Sequence, residues 1–392
     1  MPADTRMAPW RAVVGFGIVS LTADMVYEGA RSVTGPLLAA LGASAALVGI
    51  VTGAGEAMAL LLRLVFGSWA DRSGRYWSLT LAGYALTAIC VPALAITPYV
   101  GGAGLVLACF LLLSERVGKA VRSPSKTALL AHVAGQVGLG RGFAVHKALD
   151  QTGAVAGPLL VAAVTAAAGA IWPAMAVLVI PGGLALVILV WIQRRTDDPA
   201  AAPSRTATPE TRSKLPTAFW LFAGTAGAST AGLVTFGVIS YHLTREGVSS
   251  VAAVPLIYAA AMGVEAVAAL GTGWLFDRFN GRVLVVLPFL VAAVPVLAFA
   301  NAPSIALPGV LLWGMATGLQ DSTVKALVAD LVPSGRRATA YGIFAAVQGS
   351  AAVLGGAMAG ALYQHSLPLL IILVGTLQLG SLVLLVATLR LR

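Results

Sequence analysis

Charge is scarce in this chain. Of its 392 residues only 10% are Asp, Glu, Lys or Arg, while 58% are hydrophobic. An average soluble domain carries roughly 25% charged residues. So little charge cannot cover a water-soluble globule of this length, and most of the surface must face lipid. Acids are scarcer still, 15 against 25 bases, for a formal net charge of +10. No nucleic-acid partner follows from that excess, because the bases fall in short stretches between apolar runs. The two cysteines, Cys90 and Cys109, both lie inside apolar runs, which excludes a disulfide framework and a cysteine-spaced metal site. Gly-x-Ser-x-Gly, His-Glu-x-x-His and the phosphate-binding Gly-x-x-x-x-Gly-Lys-Ser/Thr are missing too. That speaks against an enzyme and against an ATP-driven pump, and leaves an ion gradient as the energy source. No cofactor is called for. No segment keeps a period-two alternation, which excludes a membrane β-barrel.

Apolar length is what the chain has. A helix needs about 20 such residues to span a bilayer. Twelve candidates run near 11–40, 44–67, 76–97, 102–123, 140–166, 170–193, 216–242, 250–276, 282–300, 303–331, 336–364 and 367–389. Pro36, Pro92, Pro158, Pro181, Pro255 and Pro288 lie in or near them as expected kinks. Ala43-Ser44-Ala45 mimics a signal-peptidase site, but it lies too far along, and Asp24, Glu28 and Arg31 interrupt the run before it. An uncleaved first helix is expected. With the N-terminus inside, the cytoplasmic side collects Arg6, Arg11, Arg72, Arg75, Arg122, Lys126, Arg141, Arg194, Arg195, Arg205, Arg212, Lys214, Arg278, Arg282, Arg336, Arg337, Arg390 and Arg392. The other side receives Arg245 and Arg31. This asymmetry predicts a multi-pass protein of the cell's inner membrane with both termini cytoplasmic. Residues 194–215 form a polar linker with too few large apolar residues to fold alone. They divide the chain into six-helix halves, 1–193 and 216–392.

A repeat supports that division. Gly67, Asp71, Arg72, Gly74 and Arg75 punctuate the stretch after the second run, and Gly273, Asp277, Arg278, Gly281 and Arg282 recur in the second half. Glycine permits close helix approach and a tight turn, and the aspartate can cap a helix N-terminus. The two copies resemble the loop motif of the major facilitator superfamily of secondary transporters. That resemblance implies an all-α membrane fold of twelve transmembrane helices in two pseudo-symmetric bundles, and it covers the whole chain. It also implies alternating access, with loops 67–75 and 276–282 helping to close the cytoplasmic side.

Five acids fall inside apolar segments of the first half: Asp24, Glu28, Glu56, Glu115 and Asp150. Facing lipid, they would together cost more than about 12 kcal/mol. They must face a water-filled cavity, pair with a base, or carry a proton. Asp24, Tyr27, Glu28 and Arg31 make one stripe of the first helix. Glu115, Lys119 and Arg122 repeat that spacing on the fourth, with Arg116 beside them; His146 and Asp150 share a face of the fifth; Glu56 and Arg63 are seven apart on the second. Asp24, Tyr27, Glu28, Arg31, Glu56, Glu115, Arg116 and Asp150 are the predicted proton and substrate pathway. Lys119, Arg122 and Lys126 read instead as gate or headgroup contacts. Glu115-Arg116-Val117-Gly118 resembles the fourth-helix arginine motif of proton-coupled family members. Gly153, Gly157 and Pro158 resemble the core of the family's antiporter motif, which is associated with exporters.

The second half is quieter. Glu265, Gln320, Asp321, Lys325 and Gln348 are its pocket candidates, with Asp321 and Lys325 spaced to pair. His242 and His365 read as bystanders. Tyr27, Phe143, Phe236, Tyr258, Trp313, Tyr341 and Phe344 are candidate pocket aromatics. The resulting expectation is proton-coupled efflux of a small organic compound by a monomer, with protons, substrate and lipid as partners. The alternatives are a symporting importer and a metal-ion carrier. For the carrier, Met25, Met58, Met262, Met315 and Met358 with His146 show no ligand spacing.

Overall fold

The computed structural model describes residues 7–196, 215–332 and 337–391. Among them there are helices and no strand. The helices are α1 (Pro9–Ala40), α2 (Ala45–Ser73), α3 (Tyr76–Ala93), α4 (Gly104–Ala134), α5 (Leu139–Ala168), α6 (Ile171–Val177), α7 (Val179–Gln193), α8 (Thr217–Gly232), α9 (Phe236–Arg245), α10 (Val254–Phe279), α11 (Val286–Ala298), α12 (Pro303–Leu331), α13 (Arg337–His365) and α14 (Leu367–Arg390). Counting α6–α7 and α8–α9 as one broken rod each leaves twelve, the number the sequence suggests; among the described residues nine stretches are long and apolar enough to cross a membrane, with α10 and α11 counted as one. Most of the expected linker, residues 197–214, lies outside the described residues, as do Arg6, Arg336 and Arg392.

Two breaks have local causes. In α6–α7, Pro181 has no N–H to donate to Val177, so a continuous helix would leave that carbonyl bare. The chain restarts at Val179, which puts the proline in a first turn where no donor is needed. In α8–α9 the break covers residues 233–235, with Leu233 and Thr235 extended. An exposed carbonyl at membrane depth is costly unless another group satisfies it. Here the Trp313 indole N–H donates to the Val234 carbonyl at 2.9 Å. Trp313 also packs with Phe236 and Tyr258, at centroid distances of 5.4 and 6.1 Å. Trp313→Phe keeps the packing and removes the donor. It is expected to cost about 0.6–1.7 kcal/mol, read as a lower thermal midpoint of the purified protein.

The fourth span is longer than its apolar run. The sequence suggests a stop near residue 123, yet α4 continues through Pro124 to Ala134. Burial explains it: Leu129, Leu130, Val133 and Ala134 complete a cluster with Ala12, Val13, Phe16 and Val19 of α1 and Trp77 of α3. At roughly 1.5–3 kcal/mol for each large apolar side chain, that packing outweighs one lost helix hydrogen bond.

The chain gathers into two compact units. One holds α1 as far as Arg31 together with Leu61 through α7; the other holds Ser32–Leu60 together with α8 to α14. Inside the second unit, the first half of α2 lies backbone to backbone on α13. A Cβ on Gly49 would collide with the Gly356 carbonyl, and one on Gly356 with that of Gly49. The contact requires glycine on both helices.

The repeated motif sits mainly in helix rather than loop. Gly67, Asp71 and Arg72 belong to α2, and Gly273, Asp277 and Arg278 to α10. The chain turns seven residues after each first glycine, at Gly74 with φ 65° and at Asn280 with φ 53°. Both have a positive φ, but Asn280 combines it with ψ −149°, outside the left-handed helical region. A positive-φ residue thus recurs at the same spacing although its residue type does not. Asp71 does not cap α3; its carboxylate accepts from the Tyr76 hydroxyl at 3.1 Å.

Candidate functional site

The α1 stripe is the spine of a charged cluster in the first unit. Seven of the eight predicted pathway residues belong to it: Asp24, Tyr27, Glu28 and Arg31 on α1, Glu115 and Arg116 on α4, and Asp150 on α5. Glu56 instead lies on the part of α2 assigned to the other unit.

At one end of the cluster the carboxyl groups of Asp24 and Asp150 approach within hydrogen-bonding reach of each other. Two ionised carboxylates are acceptors only, so a hydrogen bond between them requires that one of the two carry a proton. Asp150 also takes the Lys147 ammonium at 2.9 Å. Gly153 and Gly157 make the approach possible. A Cβ on Gly153 would collide with the Leu21 carbonyl, and one on Gly157 with that of Met25. Leu21 and Met25 flank Asp24, so the glycine face seats α5 on α1 where Asp150 can reach its partner.

Tyr27 is buried at the centre. Its hydroxyl accepts from Arg116, whose guanidinium also lies 4.5 Å from the ring centroid. The Lys119 ammonium lies 3.5 Å from that centroid and Arg31 6.0 Å. Arg31 pairs with Glu28 at 3.8 Å, and Arg116 with Glu115 at 3.6 Å. Behind them, the Thr87 hydroxyl donates to Glu115 at 3.3 Å and accepts from Arg122. Arg122 is buried, with Tyr84 stacked 4.7 Å from its guanidinium carbon. The Lys126 ammonium donates to the Ser20 hydroxyl at 3.0 Å. The same hydroxyl also shares a hydrogen bond with Nε2 of His146, at 3.0 Å. Lys119, Arg122 and Lys126 all turn toward other helices of this unit.

In the second unit, the Gln320 and Gln348 side-chain amides converge on the Thr230 hydroxyl at 2.7 and 3.4 Å. Thr230 lies on the last turn of α8 before its break. Glu265 accepts from Thr317 at 3.3 Å. Asp321 is exposed, and the side chain of Lys325 lies outside the described residues. His242 is buried between the Tyr363 hydroxyl at 3.0 Å and the Ala300 carbonyl at 3.3 Å. Among the candidate aromatics, Phe344 stacks on Phe222 at 5.9 Å.

Sequence reasoning missed the hydroxyls. Ser20 joins Lys126 to His146, Thr87 joins Arg122 to Glu115, Thr230 joins Gln320 to Gln348, and Thr317 bonds Glu265, yet each reads as an ordinary residue of an apolar helix. Ser20 alone carried a signal, since it continues the Asp24 stripe one turn back. Among the described residues no group of three or more His, Cys, Asp and Glu side chains is placed to hold a metal ion.

Comparison with known proteins agrees with this architecture. The family model described as Major Facilitator Superfamily matches residues 16–356 and 272–392. Uncharacterized proteins of Mycobacterium tuberculosis and Mycobacterium bovis are each 49% identical over 387 residues, covering 97% of this chain and 93% of theirs. Among solved structures, a mutant of the nucleoside transporter NupG aligns with TM-score 0.75 at 15% identity, over 97% of this chain and 99% of that one. A POT family transporter in complex with a thioalcohol-conjugated peptide aligns with TM-score 0.74 at 12% identity, over 97% and 96%. A bacterial homologue of the human lysosomal transporter Spinster aligns with TM-score 0.66 at 15% identity, over 98% and 95%. The chain belongs to the Major Facilitator Superfamily, and it is a multi-pass membrane transporter rather than an enzyme.

Proposed function

We propose that this transporter is a proton-coupled exporter of a small organic compound. It works as a monomer by alternating access between the halves 1–193 and 216–392, joined by a cytoplasmic linker at 194–215. Both termini lie on the cytoplasmic side of the inner membrane. The observation that carries the reading is the Asp24–Asp150 contact, a carboxyl pair on membrane helices that is able to share one proton. Opening toward either aqueous side lets that proton exchange with water. Lys147, Glu28 and Lys119 lie close enough to shift the balance as substrate arrives or leaves. The direction of transport rests on the likeness of Gly153, Gly157 and Pro158 to the antiporter motif. Their close packing on α1 supports a role beside the coupling pair. The Gly49–Gly356 seam lies toward the 41–44 turn, the outer end in this topology, and has to part when the protein opens outward.

Inverted membrane vesicles with an acidic interior test the reading. They are expected to accumulate substrate from a mixed panel of cationic, neutral and anionic compounds, and to lose it when a protonophore is added. Accumulation unaffected by the protonophore would remove proton coupling. Accumulation only in right-side-out vesicles would make the protein an importer.

A further inference from the structure

Each acid of the cluster has its partner. Asp24 and Asp150 hold one another, and Asp150 also holds Lys147; Glu28 takes Arg31; Glu115 takes Arg116 and Thr87. Among the bases, Arg122 donates to Thr87 and Lys126 to Ser20. Lys119 is different. Among the described residues no carboxylate comes within ion-pair distance of its ammonium, and no hydrogen bond reaches it. Its contact is the face of Tyr27 at 3.5 Å. An ammonium has three donors, and a ring face satisfies none of them as a hydrogen bond. A part-buried cation on a membrane helix with all its donors unused is costly in a resting protein. The cost is recovered when something supplies acceptors.

The surroundings say what that something is. Arg116 lies one turn away on the same face of α4 and leans on the same ring. Two cations thus approach one aromatic ring, with Arg31 farther out at 6.0 Å from its centroid. Glu28 and Glu115 offset Arg31 and Arg116, and Glu28 and Asp24 act on Lys119 only through space, so among the described residues of the cluster the charge left without a bonded partner is the Lys119 ammonium, which calls for an anionic acceptor. An acceptor with two or more oxygens can take Lys119 and Arg116 together, as carboxylate and phosphate groups do.

We propose that Lys119 is the substrate-binding residue for an organic anion, whose carboxylate or phosphate group it holds together with Arg116 over the ring of Tyr27. This names the substrate class of the site proposed above and rests on that reading. It also gives a role to the Tyr27 ring, which holds the two cations side by side where they would otherwise repel.

The test uses binding rather than flux, so that loss of proton coupling and loss of anion recognition give different results. A bacterial metabolite extract is separated by ion exchange into anionic, neutral and cationic fractions. Each is added to the purified full-length protein, and the thermal midpoint is followed. The anionic fraction is expected to raise it. In Lys119→Gln the concentration needed is expected to rise at least about tenfold, and in Lys119→Arg to rise less. A midpoint of the ligand-free variant close to that of the parent shows that folding is kept. Tyr27→Leu supplies a second variant, with the same direction expected. No response to the anionic fraction overturns the proposal, and so does a response confined to the neutral or cationic fraction. An equal response in a folded Lys119→Gln protein overturns it as well. Dividing the responding fraction by phosphatase treatment then separates phosphate-bearing from carboxylate-bearing compounds.

Discussion

Asp24→Asn is expected to abolish transport driven by a pH gradient while leaving the fold intact. Asparagine has the size of aspartic acid, and its amide donates to Asp150 as the protonated acid would. The α1–α5 contact therefore survives, and the stability change should stay within about 1 kcal/mol. What is lost is the proton that comes and goes. The variant should still exchange labelled for unlabelled substrate at equal pH, because that half-cycle needs no net proton movement. Net flux under an imposed pH gradient should fall to that of protein-free liposomes. The two assays on one preparation separate a coupling defect from a folding defect. Undiminished gradient-driven flux in Asp24→Asn would place the coupling group elsewhere.

Gly356→Leu should shift the protein away from the conformation described here. Its Cβ has nowhere to go, because the Gly49 carbonyl and the Gly53 Cα already occupy the space. Overpacking of this kind costs about 1–3 kcal/mol. The obstacle is backbone, so relief comes from α2 and α13 moving apart rather than from a rotamer change. Applied to one side of a conformational equilibrium, that cost is a population shift of about 5- to 150-fold. A single cysteine at Thr52 reads the shift, with Cys90 and Cys109 first replaced by serine. Thr52 is half-buried one turn along α2 from Val48, hydrogen-bonded to Thr235 at 2.8 Å. Its labelling by a membrane-impermeant thiol reagent should quicken when Gly356 becomes leucine. Unchanged labelling would mean that the seam does not part during transport.

How much of this was legible in the sequence depends on the kind of signal. The twelve spans were, because lipid demands an unbroken apolar stretch about 20 residues long and little else produces one. The length of α4 was not. The apolar run ends near residue 123, whereas burial of Leu129, Leu130 and Val133 against α1 carries the helix onward. The α8–α9 break was also invisible, since Leu233-Val234-Thr235 contains no proline or glycine and the compensating donor, Trp313, is 79 residues away. The acids of the cluster stood out because each is expensive in a membrane. Their partners did not, since a serine or threonine on an apolar helix is cheap wherever it points. Lys119 was read from spacing alone as one of a run of bases near a helix end. Its place against Tyr27 depends on how α4 packs on α1, which no local pattern encodes.

The glycines show the same division. Gly153 and Gly157 announce a close-packed helix face by their spacing of four. Nothing in that spacing says which helix they meet, and it is the meeting with α1 beside Asp24 that makes them matter. In the repeated motif, a positive φ recurs at Gly74 and Asn280 while the following glycine, Gly281, is buried under Leu327 and Leu389. The sequence likeness and the structural likeness are offset by one residue there.

We propose that substrate and proton movement are joined through the Asp24–Asp150 pair. The most direct test is proton movement itself, in liposomes that contain the purified protein and a pH-sensitive dye, with no pH gradient at the start. A substrate gradient is imposed with the compound that binds most tightly. Protons are expected to move opposite to the substrate, and the dye signal to vanish in Asp24→Asn although labelled substrate still exchanges. Substrate flux with no proton movement in the parent protein would contradict the proposal.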